Sequence, residues 1–292
     1  GTVLTQLTSL TFFGTKEIIV KASLPSLRRL SVYKASRESM EPIVVDAALP
    51  SLEALHVAYA AKLQVAGEHL QLPQLTQLSL DNLTEVPNLS AFRGLKHLME
   101  LRIFAPKHVL PSIELSTLPP HLTSLFLRVQ SLDYSMYDGD KNAWIKALPS
   151  AHMTTLELAT TDNENNYSGS LSGALLHHLP LGLHICTLEG VDTLSDEHMM
   201  ALPPKLAYLR ILRAKSTSVS NASVAHWSRN LSSVDLPFKS LVTEECIPSL
   251  PPNLHSFMFE GVDPQWFLNH LYGFDTANYC EPDLDDDGTE WL

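Results

Sequence analysis

Apolar residues along this chain fall into one recurring phrase, Leu-Pro-x-x-Leu-x-x-Leu-x-(apolar). Clear copies begin at Leu24 (LPSLRRLSV), Leu49 (LPSLEALHV), Leu72 (LPQLTQLSL), Leu118 (LPPHLTSLFL), Leu202 (LPPKLAYLRI) and Leu250 (LPPNLHSFMF). The last three carry a second proline and one extra residue. With the first Leu of Leu-x-x-Leu-x-Leu as the register mark, eleven copies start at Leu7, Leu27, Leu52, Leu75, Leu98, Leu122, Met153, Leu183, Leu206, Leu231 and Leu254. The intervals are 20, 25, 23, 23, 24, 31, 30, 23, 25 and 23 residues. The two long intervals place insertions at roughly 129–146 and 160–178.

The spacing predicts the local structure. Leu-x-Leu is the period of a strand, so both leucines face one side of a sheet. The Leu three residues earlier anchors the turn into that strand. One such unit cannot bury its apolar face alone, whereas stacked units bury a continuous core beneath a parallel sheet. Pro in the leading Leu-Pro is expected to stop the helix or turn that descends from the preceding unit. The returns read as short and irregular in the first half. In the second half, helices are expected after Asp140, Ser195 and Thr243, each an oxygen-bearing residue suited to cap free N–H groups. Asp263-Pro264 opens a further expected helix over 263–273, stopped by Gly273, whose Trp266, Phe267 and Leu271 would cover the open end of the core. The organisation expected is thus a solenoid over 1–262, a capping helix over 263–273 and a tail over 274–292.

These repeats resemble the leucine-rich-repeat family, over about Leu4 to Val262. The Leu-Pro-Pro variant is similar to degenerate repeats of microbial eukaryotes, and the alternation with capped helices is similar to F-box-type substrate receptors and ribonuclease-inhibitor-like arrays. The resemblance implies an α/β solenoid, a curved horseshoe of about eleven repeats whose parallel, concave sheet binds protein. One departure is evident. The family's Asn past the strand is absent, its positions holding Thr15, Ala35, Ala60, Leu83, Pro106, Gln130, Thr161, Val191, Ala214, Lys239 and Val262.

In each strand the residues between and just after the two leucines point away from the core. The binding candidates among them are Arg102, Phe104, Phe126 and Arg128 on neighbouring strands, Tyr208 and Arg210 as a smaller group, and Arg29, Tyr33 and His56 near the start. Aromatics and arginines on an exposed sheet are the residue types enriched where binding energy concentrates. The other outward positions include Ser31, Ala54, Gln77, Ser79, Asp81, Glu100, Glu157, Glu189 and Asp235.

Composition narrows the function classes. The formal charge is −12, and seven acidic residues without a basic one lie between Phe274 and Leu292, which leaves −5 on the remainder. An acidic chain repels phosphate backbones, so nucleic acid is not the expected partner. No apolar run is long enough to span a membrane. Nucleophile elbow, phosphate loop, dinucleotide fingerprint and HExxH are all missing, so the expectation is binding without catalysis or cofactor. Cys186, Cys246 and Cys280 are scattered and odd in number, which reads as reduced thiols in an intracellular, cytoplasmic protein. Five Asn-x-Ser/Thr sequons, at Asn82, Asn88, Asn166, Asn221 and Asn230, point instead to a secreted or lumenal one. The chain opens on Gly1 rather than Met, as expected of a piece of something longer.

The sequence carries two patterns that bear on metal binding. Asp283, Asp285 and Asp287 ahead of Gly288 match the first half of a calcium loop, but its closing Glu falls beyond Leu292, so a solvated acidic tail is expected there in preference to calcium. His177, His178 and His184 lack the paired spacing of a zinc site and are expected in surface turns. Three functions therefore stand in order: a protein-interaction scaffold, such as an adaptor or subunit; an F-box-type ubiquitin-ligase receptor whose docking motif lies outside this sequence; and a secreted or calcium-dependent binding protein.

Overall fold

Each Leu-x-x-Leu-x-Leu phrase forms one short strand, and successive phrases pair side by side. The computed structural model describes residues 4–14, 18–20, 24–34, 42–45, 49–60, 62–65, 72–85, 89–133, 143–146, 148–149, 151–160 and 171–260. The expected helix over 263–273, the acidic tail with Asp283, Asp285 and Asp287, and Asn88, Asn166 and Cys280 lie outside these residues.

The strands in chain order are β1 (Ser9–Gly14), β2 (Ile18–Val20), β3 (Arg29–Lys34), β4 (Ile43–Val45), β5 (Ala54–Ala58), β6 (Leu63–Val65), β7 (Gln77–Asp81) and β8 (Glu100–Pro111). They continue with β9 (Ser124–Asp133), β10 (Thr155–Thr160), β11 (Ile185–Glu189), β12 (Thr193–Ser195), β13 (Tyr208–Leu212), β14 (Ser216–Ser218), β15 (Ser233–Lys239) and β16 (Ser256–Glu260). Eleven of them form one open sheet in the order β1-β3-β5-β7-β8-β9-β10-β11-β13-β15-β16, in simple chain sequence. Every pair whose register is defined is parallel, and Arg29, Ala54, Gln77, Glu100, Ser124 and Thr155 line up across the sheet as the repeat spacing requires. The architecture is an open solenoid of stacked leucine-rich units with this parallel sheet on one side.

The core follows the register marks. From Leu27 to Leu231 all nine mark residues are 0 % exposed, Met153 among them. The two strand positions that follow, such as Leu101 and Ile103 or Leu125 and Leu127, are buried beside them. The prolines act differently from the expectation that they stop a preceding element. Leu27 N–H donates to the Leu24 carbonyl, and likewise Leu52 to Leu49, Leu75 to Leu72, Leu122 to Pro119, Leu206 to Pro203 and Leu254 to Pro251. Pro25, Pro50, Pro73, Pro120, Pro204 and Pro252 therefore occupy the second position of a turn that launches the next strand, where the ring's fixed φ is already correct. The double-proline copies keep this turn and move only the leading Leu one residue outward.

A hydrogen-bond ladder runs through the start of every main-sheet strand after β1. The first two N–H groups of each repeat, for example Met99 and Glu100, both donate to one carbonyl of the preceding repeat, here Thr76. Ten such steps lead from Thr8 to Ser232, all at 2.8–3.2 Å. At four of them a hydroxyl joins: Thr76 donates to Glu53 O, Thr123 to Met99 O, Thr154 to Thr123 O and Ser232 to Ala207 O. This ladder sits before the strand. The positions past the strand where the family has Asn hold buried Ala60, Leu83 and Val191. Asn221 provides an amide tie of its own: it donates to Thr243 Oγ1 at 2.6 Å and accepts from Thr243 N–H at 2.8 Å.

The returns are more varied than expected. In the first half they include a second parallel sheet, β2-β4-β6, in which Ile18–Val20 and Ile43–Val45 are β-branched throughout and Leu63–Val65 adds the third strand. Helices on this side are short: α1 (Ala143–Lys146), α2 (Asp196–Met200) and α3 (Asn221–Val224). Ser195 caps α2 as expected, and Ser220 caps α3. The expected helix after Thr243 is a six-residue 3-10 helix, Glu244–Ser249, with Pro248 inside it, which removes an N–H that an α-helix would need.

Candidate functional site

Alternation along each strand sets three rows of side chains on the outer face of the eleven-stranded sheet. The middle row runs Ser31, His56, Ser79, Arg102, Phe126, Glu157, Thr187, Arg210 and Asp235. The row nearer the strand ends runs Phe13, Tyr33, Ala58, Asp81, Phe104, Arg128, Ala159, Glu189 and Leu212. The candidate residues lie on this face in the register that the repeat spacing predicts, with Arg29 and Tyr208 in the third row.

Four of them form a reciprocal pair of contacts between β8 and β9. The Arg102 guanidinium lies over the Phe126 ring at 4.1 Å, and the Arg128 guanidinium lies over the Phe104 ring at 5.5 Å. Each pair joins opposite residues of neighbouring strands, so the strand spacing itself brings cation and ring together. Both cations are held from a second side. Arg102 Nε also meets Glu100, and Arg128 donates to Glu189 Oε2 at 2.8 Å. Arg128 stands on β9 and Glu189 on β11, with Ala159 of β10 between them. A side chain as small as alanine is what lets the arginine cross a whole strand. Glu189 is 5 % exposed despite its charge, and Arg213 approaches its other oxygen at 3.6 Å.

A second chain of contacts runs through the first repeats. Phe13 stacks on Tyr33 with ring centres 5.0 Å apart, and Tyr33 meets the edge of His56 at the same separation. Tyr33 OH lies 3.2 Å from His56 Nδ1, and His56 Nε2 lies 2.7 Å from Asp81 Oδ2. That last contact is close but off-line, because the ring N–H does not point along it and Nε2 makes no directed hydrogen bond. Arg210 forms a separate pair with Asp235 at 2.8 Å, and no described contact joins Tyr208 to it. Phe13 was not among the candidates, although at 76 % it is the most exposed large apolar side chain among the described residues. Its signal was the first copy of the phrase, at Leu7, read in the same register as the rest.

The remaining sequence features fall on the returns. His177 faces His198 with ring centres 5.6 Å apart, and His184 lies elsewhere, at the start of β11. Among the sequons, Asn82 takes a left-handed turn at φ 52°, and Asn221 and Asn230 spend their amide N–H groups on Thr243 Oγ1 and Pro204 O of adjacent repeats. These two asparagines thus tie adjacent repeats together. No helix among the described residues is long and apolar enough to cross a membrane.

No family model matches the chain, and no curated protein matches it. Among solved structures, an internalin of Listeria monocytogenes strain 4b F2365 aligns over 94 % of this chain and 87 % of that one, with 15 % identity and a TM-score of 0.46. Strand pairing and the buried leucines define the fold independently of that likeness.

Proposed function

We propose that this protein is a non-catalytic binding scaffold that holds a partner protein on the outer face of its main sheet, centred on Arg102, Phe104, Phe126 and Arg128. The observation that carries the reading is the crossed pair of arginine–aromatic contacts. Two rings and two guanidinium groups are fixed by neighbours on the same rigid sheet, so little side-chain freedom remains to be lost when a partner covers them. Large, pre-positioned aromatics and arginines are the usual anchors of such surfaces. Adaptor, assembly-subunit and ubiquitin-ligase receptor are finer versions of the same reading, and the face described here serves each equally.

The test is a quantitative pull-down from native extract with the wild-type chain and with Phe104→Ala/Phe126→Ala. Both rings are half-buried on the outer face, outside the leucine core, so the variant is expected to keep its melting transition and lose partner recovery by tenfold or more, on the order of 1.4 kcal/mol per decade. Equal recovery by a folded variant would remove the centre of the face from the binding site.

A further inference from the structure

Resting on the binding reading above, we propose that the partner segment is an extended stretch of chain laid across the strands, carrying an acidic side chain at one end and a basic side chain about seven residues away. Two adjoining depressions on the outer face argue for this shape. The first, of about 420 Å³, lies over β3 to β8 and is bordered by Arg29 at its outer end. The second, of about 200 Å³, lies over β7 to β10 and is bordered by Glu157. They share Asp81 and Arg102, so together they make one trough across the sheet. Its floor is low at Ser31, Ala54 and Ser79, where small side chains stand between larger ones.

The charges along this trough are unequal in a telling way. Glu100 pairs with Arg102, His56 meets Asp81, Arg128 pairs with Glu189, and Arg210 pairs with Asp235. Among the described side chains of the three outward rows, Arg29 and Glu157 are the charged groups with no such partner. They stand at opposite ends of the trough and have opposite sign. Five strand steps separate β3 from β10. At ~4.8 Å per step that is ~24 Å, the length of about seven residues of extended chain. A segment with a carboxylate over Arg29 and an ammonium or guanidinium over Glu157 would complete the charge pairing of the face. Reversing that order would set like charges together at both ends, which fixes the orientation of the bound segment.

The test uses synthetic nine-residue peptides on the full chain, read by fluorescence anisotropy. One series carries Asp at position 1 and Lys at position 7 or 9, even spacings that turn both side chains to the same face of an extended chain, with aromatic residues between. A peptide can enter the trough in either chain direction, so exchanging its two charges is no control; one control series carries Asp at both positions, and a second carries Ser at both. Expected results are tighter binding of the Asp/Lys series than of either control, loss on the order of tenfold for Arg29→Glu, and recovery when Asp is replaced by Lys in the peptide. Glu157→Lys should give the mirror result with the other end, and the preference should fade with added salt. Binding that depends on Phe104 and Phe126 yet ignores Arg29→Glu and Glu157→Lys would overturn this inference and leave the binding reading standing. Peptide binding that ignores Phe104→Ala/Phe126→Ala as well would sink both. Absence of binding by every series would overturn the extended-segment inference, while the pull-down above judges the scaffold reading separately.

Discussion

Single side chains show where alternation is informative and where it is blind. The parity of Leu-x-Leu assigns Arg102, Phe104, Phe126 and Arg128 to the outer face, because a one-residue slip would bury them and expose the leucines. It says nothing of which outward residues touch, and the Arg128–Glu189 bridge over Ala159 depends on three strands at once. Ala159→Leu should block that bridge and leave the nearly buried carboxylate with only Arg213 beside it, at 3.6 Å, lowering stability by about 1–3 kcal/mol in urea unfolding, whereas Ala159→Gly should spare the bridge. The thiols are a second case. Burial pushes Cys186 up to about 12 and Cys246 up to about 11, so neither forms a thiolate near neutral pH. In a Cys280→Ser variant at pH 8, a thiol reagent should label the native chain negligibly and label two groups after denaturation. Rapid native labelling would mean that the core opens far more often than its packing implies, at β11 if Cys186 carries the label and at the 3-10 helix if Cys246 does.

At the scale of elements, the strands were legible and the returns were not, for a physical reason. A strand is specified by a two-residue period shared across all repeats, while each return is held by contacts peculiar to it. Gly173 shows the difference: a Cβ there would sit 1.9 Å from the Thr193 carbonyl, and its N–H donates to Asp192 Oδ1 at 3.1 Å. No period announces that close approach. Gly173→Ala should cost about 2 kcal/mol or more, since the obstructing atom is backbone. The link between α2 and α3 is just as local. Burial alone would raise the Asp196 pKa, but hydrogen bonds from the Ser220 N–H and hydroxyl, at 2.7 and 2.6 Å, and from Ser223 outweigh it and hold the carboxyl below its ordinary 3.8. This contribution is complete above pH 3.8 and disappears as pH falls through the lower folded-state value. His198 behaves alike at higher pH. Burial first, and then His177, lower its pKa below 6.5, while Glu197 and Asp192 oppose them. Its folded-state preference for the neutral ring is therefore lost as pH falls from above 6.5 through the lower value. Thermal melts at pH 7.5 and pH 5 should show a larger drop for wild type than for His198→Gln; equal drops would dismiss His198 as a contributor.

The whole molecule is a stack in which each repeat is supported by its neighbours, so stability should vary with position. Inner marks such as Leu98 and Leu122 have repeats on both sides and are fully buried, whereas on β1 Phe12, a core-facing position, is 38 % exposed. Hydrogen exchange is expected to be fastest at β1 and slowest near β8 to β11. Leu125→Ala, in the middle, should cost about 2–5 kcal/mol in denaturant unfolding, and Leu10→Ala clearly less. A flat exchange profile would mean that the stack unfolds as one unit from end to end. The strand-start ladder has a further consequence. Its hydrogen bonds keep the same lengths across the 31- and 30-residue intervals around Met153 as across the 23-residue ones. Residues gained or lost between repeats are thus not transmitted to the sheet. In evolutionary terms the two sides can drift as separate compartments: a lineage can lengthen, trim or rewrite the returns by insertion and deletion while the order and pitch of the outward side chains pass unchanged to its descendants.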